Sequence, residues 1–451
     1  MLGRPPNVPR RRGKPATIEL DDIQGNVLRG YTMPAAAYLW LRIVDVGQAR
    51  ALMRRMLPQV ATAAPWASPP ATALNVAFTF AGLRALGLPE AVLDSFPEAF
   101  REGMAARADR LGDRGPSAPE HWEPGFDTAH VLVTVSAVDG AHLRAALASV
   151  IGEDAEMRAV ALTHLQRAEA LPGGRDHFGF FDGIAQPAIQ GSGVAPRPGD
   201  GQPDGVGGWR EVATGEFLLG YRDEDDTLPA APLPPFERNG TFVVYRKLAM
   251  DVAAFRRFVA GAGFPGGPDQ LAAKIVGRWP DGTPLALSPD RPDPSAAIND
   301  FSYRDDPDGL RCPLGAHIRR ANPRDSLGFY DGRLTNRHRI VRRGRSYGPP
   351  LEPGATEDDG VDRGLIFVCF QADIWRQFET IQSLWIDDGD PFGLGVDKDF
   401  LAGEPHGTEG KMTIQGRPPF FLKPQPRFVT LRGGGYLFQP SMTALRALAA
   451  P

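Results

Sequence analysis

Read for hydrophobic period, the chain gives one order of elements twice, and that order limits the folds open to it. YLWLRIVDV (38 to 46) alternates as a strand does, and VGQARALMRRMLP reads as a helix stopped by proline. ALNVAFTFAGLRALGLP adds a strand at about 73 to 80 and a short helix. HVLVTVSA (130 to 137), the helix DGAHLRAALASVIG opened by Asp139, and RAVALTHLQRAEA (158 to 170) complete strand, helix, strand, strand, helix, strand. The second half repeats it in TFVVYRKL (241 to 248), DVAAFRRFVAGAG, RIVRRG (339 to 344), GLIFVCFQ (364 to 371), IWRQFETIQSLWI and FVTLRGGGYLFQP, without obvious sequence similarity to the first. Half-buried strands interleaved with amphipathic helices place helices against a sheet, which is the α+β class.

At 451 residues the chain exceeds one ordinary core, so two domains are expected. Its 42% apolar and 23% charged residues are those of a globular protein, and a formal charge of −4 gives no case for nucleic acid. Two cysteines, Cys312 and Cys369, imply no disulfide framework and fit a reducing compartment. Arg10, Arg11 and Arg12 are followed by GKPATIELDDIQG, not by the apolar stretch of a twin-arginine export signal, so a cytoplasmic protein is expected. No apolar run approaches the ~18 residues of a membrane span. Residues 1 to 18 read as a disordered basic tail, 190 to 235 as a linker or cover loop, and 280 to 312 and 348 to 362 as long proline-rich loops.

HFGFFDGIAQP, residues 177 to 187, sets one ionisable side chain, Asp182, among Phe178, Phe180, Phe181, Gly179 and Gly183. The phenylalanines argue that the segment packs inward, and the plain reading is an aspartate capping a turn between core elements. RCPLGAHIRRANPRD (311 to 325) and RHRIVRRGRSYG (337 to 348) follow it in the chain. Together these motifs resemble the dye-decolourising peroxidases, haem enzymes marked by G-x-x-D-G, an axial histidine in a HIRxxNPR-like run and an arginine in I-x-R-x-G. The resemblance runs from DDIQGNVLRGY to PRFVTLRGGGYLFQPS and is to the longer, C/D-type branch. It implies a duplicated ferredoxin-like fold: a unit over 19 to 205 carrying GFFDG, and a unit over 206 to 451 carrying the axial histidine and distal arginine and most of the haem site.

The resemblance also implies roles. His317, in GAHIRRANPR, is the axial ligand among eight histidines, with His164 and His177 as rivals. Cys312 lacks a thiolate-haem context, and no C-x-x-C-H occurs, so one non-covalent haem b per chain is expected. Asp182 would move a proton across bound hydrogen peroxide while Arg342 stabilises the charge of O–O cleavage. Arg342 falls on the I-x-R-x-G register counted from Ile340 to Gly344, on the face opposite Arg343, and Arg339, Arg343 and Arg345 are expected on a solvated edge. Asn322, Pro323 and Arg324 would lie against the haem, with Arg324 on a propionate, and Gly183, Ile184 and Ala185 would form the distal wall. A carboxylate should hold the other nitrogen of His317, with Asp387, Asp388 and Asp390 as candidates. Trp375, Trp385 and Tyr347 are among the aromatics available to relay electrons from bulky donors. The implied activity is reduction of hydrogen peroxide with oxidation of dyes and phenolics through a high-valent iron-oxo state. A deferrochelatase-like haem handler is the alternative, and passive haem storage needs neither Asp182 nor Arg342. The oligomeric state stays open, a homo-oligomer included.

Overall fold

The computed structural model describes residues 17–152, 159–203, 208–296, 298–327, 329–405 and 410–451. Nine strands make one antiparallel sheet: β1 (Ala35–Ile43), β2 (Thr72–Phe78), β3 (Val131–Ala137), β4 (Val160–Glu169), β5 (Thr241–Met250), β6 (Val341–Arg342), β7 (Arg345–Tyr347), β8 (Gly364–Gln371) and β9 (Val429–Gln439). Their order is β4-β1-β3-β2-β9-β5-β8-β6, with β7 also on β8. Each half therefore uses its four strand positions in the same spatial order: fourth, first, third, second. The duplication expected from the repeated element order is present in the hydrogen bonding, and the fold is α+β and ferredoxin-like.

Helices cover one face of this sheet. Asp45 opens Val46–Met56 by accepting the Gln48 N–H at 2.8 Å, and Asp139 opens Gly140–Ile151 by accepting from Ala141 and His142 at 2.9 and 2.8 Å. Asp251 does the same for Val252–Gly261. The fourth covering segment departs from the expected α-helix: Trp375–Glu379 and Ile381–Ile386 are wound as π-helix. Strand alternation puts Leu39, Leu41, Leu74, Val76, Val133 and Val135 into the helix-covered core. The halves meet through one pairing, Phe78 with Phe438, reinforced by the packed rings of Phe96, Phe100, Phe236, Phe242 and Phe438.

On the opposite face the sheet curls, and β4 comes against β7, so the two ends approach closure. Tyr38, Asn75, Ala77, Leu132, Thr134, Ser136, Val243 and Phe370 line the space enclosed there. Of the expected tail, 1 to 18, residues 1 to 16 lie outside the described residues, and Ile18 is buried, so the tail does not extend to 18. Among the described residues no helix is long and apolar enough to cross a membrane.

Candidate active site

The HFGFFDG segment is a tight hairpin. Asp182 N–H donates to the Gly174 carbonyl at 2.9 Å, Asp176 N–H to the Phe180 carbonyl at 2.8 Å, and Phe180 N–H back to Asp176 Oδ1 at 2.9 Å. Phe181 N–H and Arg175 Nη1 both reach the Pro280 carbonyl, at 3.0 and 2.6 Å, which pins the hairpin to the 280s loop. Only Phe180 is buried, Phe181 is 45% exposed, and Phe178 packs on Phe255 with ring centres 4.7 Å apart. The expectation that Asp182 is packed among phenylalanines is corrected: Asp182 is exposed, its Oδ1 accepting only the Gly183 N–H, at 2.6 Å. The shielded carboxylate is Asp176, pushed up to about 6 by burial, with Asp182 adding repulsion. After Asp182 the backbone enters left-handed conformations at Gly183 (φ 84°) and, unusually for a residue with a Cβ, at Ala185 (φ 65°).

This strained turn meets Arg342. Its Nη2 donates to the Ile184 carbonyl at 2.9 Å, and its N–H donates to Gln186 Oε1 at 3.1 Å. Arg342 makes no ion pair among the described residues, so its charge is directed by carbonyl dipoles alone. Asp182, Gly183, Ile184, Ala185 and Arg342 line one cavity of about 1100 Å³. Arg343 and Arg345 line it too, against the expected alternation, because the strand breaks at Gly344 between β6 and β7. None of the three neighbouring arginines sits on a solvated edge. Arg339 is 8% exposed and donates to the Asp200 carbonyl, Arg343 donates to the Asn26, Val27 and Arg342 carbonyls, and Arg345 to the Met33 carbonyl.

His317 begins the short helix His317–Ala321, outside that cavity's wall but within electrostatic reach of Arg342 and Asp176. Its Nδ1 lies 2.9 Å from Asp399 Oδ2, and Asp399 is wholly buried while 31% of the His317 side chain stays accessible. Burial pushes the imidazole down, but the charge and hydrogen bond of Asp399 outweigh it and its pKa lies above the ordinary value. Asp399 is held in turn: Oδ1 accepts the Leu401 and Ala402 N–H groups at 2.9 and 2.8 Å. Asp387, Asp388 and Asp390 do not take this position. Asp387 accepts from Glu404 N–H and Gln382, and Asp388 accepts the Asp390 N–H, so all three shape the loop itself. Arg320, fully buried, ties the His317 helix to that loop through the carbonyls of Trp385, Asp388 and Asp397.

After the helix, Pro323 is buried and Asn322 Oδ1 is buried with no hydrogen-bond partner among the described residues. Arg324, at φ 52°, donates to the Asn299 and Phe301 carbonyls and stacks 3.8 Å over the Phe301 ring. The rival histidines have structural partners: His177 Nε2 meets the Tyr347 carbonyl at 2.8 Å, and His164 packs on Phe126 with Glu123 3.7 Å away. Cys312 is fully buried and its thiol is pushed up to about 11 by burial, which suits a core residue and not a ligand. Of the relay aromatics, Trp375 is 62% exposed, while Trp385 and Tyr347 are buried.

The site thus joins a carboxylate and a guanidinium without an ion pair among the described residues on one cavity, and sets near them an imidazole with a carboxylate on Nδ1. The sequence model of the DyP dimeric alpha+beta barrel domain matches residues 22–160, and that of the Dyp-type peroxidase C-terminal domain matches 227–392. The chain belongs to the dye-decolourising peroxidase family. This peroxidase is 31% identical to dye-decolorizing peroxidase msp1 of Mycetinis scorodonius, over 96% of the chain and 88% of that protein. Its fold superposes on an ancestral D-type dye decolorizing peroxidase with a TM-score of 0.85 at 30% identity, covering 97% of this chain and all of that one (100%). A dye-decolorizing peroxidase in complex with 2,6-dimethoxyphenol superposes with a TM-score of 0.82 at 25% identity, covering 96% and 100%.

Proposed function

We propose that this peroxidase binds one non-covalent haem b through His317 and reduces hydrogen peroxide with Asp182 and Arg342. The observation that carries the reading is the pairing at His317. Asp399 occupies Nδ1, so the lone pair left for a metal is that of Nε2, on a side chain that is still partly accessible. The surroundings fit a haem: the nearby cavity is of cofactor size, and among the described residues Asn322 Oδ1 has no hydrogen-bond partner and Arg342 no counter-ion. Haem iron, when bound, supplies the two-electron reduction of peroxide that side chains cannot.

The chain's own residues do the rest. Asp182 Oδ1 is occupied by the Gly183 N–H, and Oδ2 has no partner among the described residues, so Oδ2 is the atom free to take a proton from one peroxide oxygen and return it to the other. Arg342, fixed by Ile184 and Gln186, meets the negative charge on the departing oxygen without having to reorganise. Gly183, Ile184 and Ala185 line the cavity with them, while Asn322, Pro323 and Arg324 follow the His317 helix outside that lining and would hold the haem beside His317, Arg324 through the N–H groups that Asn299 and Phe301 leave free. Small phenols are the donor class, supported by the relative that binds 2,6-dimethoxyphenol. Having Asp182 and Arg342 on one cavity favours turnover over haem handling. The free, buried Cys312 and Cys369 support a cytoplasmic setting, and the repeated strand order supports units dividing near residue 205.

The test is the absorption spectrum of the purified chain and of His317→Ala, before and after one equivalent of hydrogen peroxide. Wild type should show a Soret band for one haem per chain that changes on adding peroxide, and His317→Ala should lose the haem or its ferric signature. An unchanged ferric spectrum in the variant, or a wild type without haem, overturns the reading.

A further inference from the structure

The cavity that holds Asp182 and Arg342 carries further charged and polar groups that the peroxide chemistry does not use. Arg29, Arg343 and Arg345 line it, with Tyr31, Tyr38, Asn75, Thr134 and Ser136. None of these arginines makes an ion pair among the described residues. Arg29 Nε donates to the Ala63 carbonyl, Arg345 Nη1 to the Met33 carbonyl, and Arg343 to three carbonyls. Three carboxylates share the cavity, Asp200 accepting from Asn299 at 2.9 Å, Asp300 from Trp209 at 2.9 Å and Asp182 Oδ1 from Gly183, and among the described residues none is ion-paired with these arginines. Burial pushes Arg343 down to about 10, and the nearby Tyr31 phenol opposes that shift. Tyr38 likewise feels the charge of Arg345 and no carboxylate.

The three guanidinium groups are half-buried on the cavity wall, where an anionic ligand would gain charge-assisted hydrogen bonds from them. Among the described residues Arg29 and Arg345 each engage one guanidinium nitrogen, which leaves the rest of their donor forks for a carboxylate. Aromatic and hydroxyl groups beside them suit a flat ring with polar substituents: Tyr31, stacked on Trp66 at 5.3 Å, Tyr38 and Phe367, then Thr134 and Ser136. We propose that this arginine-lined part of the cavity binds the carboxylate of a small aromatic acid, directing its ring toward Asp182. The inference deepens the functional reading and rests on it only in taking that acid as a donor oxidised at the site. Phenols bearing a carboxylate are thereby selected over neutral ones.

A carboxylate could come from a free aromatic acid or from the haem's own propionates, and the test separates them. The purified chain, without peroxide, is titrated calorimetrically with benzoate and with benzamide, a neutral analogue of similar shape, and haem content is measured in the same samples. Benzoate should bind at least about tenfold more tightly than benzamide, the scale of a charge-assisted contact. Arg345→Gln should weaken benzoate by about tenfold, leave benzamide unchanged and retain full haem. Arg29→Gln, at the cavity rim, repeats the measurement should Arg345→Gln fail to fold. Equal binding of the two ligands, or unchanged benzoate affinity in a folded variant, overturns the proposal, as does haem loss in Arg345→Gln, which would assign the guanidinium to a propionate. A wild type that holds haem and consumes peroxide but does not discriminate benzoate sinks this inference alone, whereas a wild type without haem sinks the functional reading.

Discussion

At the scale of single residues, the site depends on which nitrogen of His317 is free and on what holds the other. Asp399→Asn replaces a charged acceptor by a neutral one at the same position, so on the proposed ligation the imidazole would become a weaker donor to the metal. We expect haem affinity to fall about 10- to 100-fold and the ferric/ferrous potential to rise, read by haem transfer and redox titration. Both values equal to wild type would remove Asp399 from that role. Asp399 was not legible in the sequence. It lies 82 residues from His317, and what orients it is a side-chain cap onto Leu401 and Ala402 that no spacing pattern announces. Asp387, Asp388 and Asp390 share its loop and face elsewhere. Asp182 was legible as a motif residue but not in its exposure, since the burial inferred from three phenylalanines falls on Asp176. Asp176 carries a pH signature: its pKa in the fold, about 6, exceeds the ordinary carboxylate value, so the fold favours its protonated form. That stabilisation is complete below the unfolded pKa of about 4 and is lost as pH rises through about 6. Asp176→Asn should flatten the fall in melting temperature between those pH values, and a parallel wild-type curve would contradict the assignment.

At the scale of elements, periodicity located the strands because each buries one face under helices, as Leu39 and Leu41 or Val133 and Val135 do. It failed where strands are short. β6 and β7 are interrupted at Gly344, and the alternation that should have turned Arg343 away from Arg342 does not hold there. Gln186 compensates for the shortness of β6, its Oε1 taking the Arg342 N–H that a neighbouring strand would otherwise accept. Gln186→Leu leaves that donor without its partner, and we expect a loss of about 1–3 kcal/mol in denaturant titration. Because the same contact fixes Arg342, the peroxide reaction should slow while haem content stays at the wild-type level. A variant equal to wild type in both stability and rate would show that Ile184 alone positions the guanidinium.

At the scale of the whole molecule, two units of like strand order share one sheet through the Phe78–Phe438 pairing and a common cluster of rings. Phe438→Ala should destabilise by about 3–5 kcal/mol, and the haem-free chain should unfold in one calorimetric transition because neither half closes its core without the other. Two separate transitions would show independently stable units. The shared sheet also brings Asp182 of the first half onto one cavity with Arg342 of the second, so on the proposed reading peroxide cleavage would be a joint product of both halves. Stopped-flow mixing of the ferric enzyme with hydrogen peroxide tests this most directly, in wild type, Asp182→Asn and Arg342→Leu, each with full haem. Each substitution should slow the first spectral change by about a hundredfold or more, on the order of 3 kcal/mol of barrier. Rates within about threefold of wild type in both variants, a barrier change below ~1 kcal/mol, would place peroxide cleavage elsewhere and contradict the account.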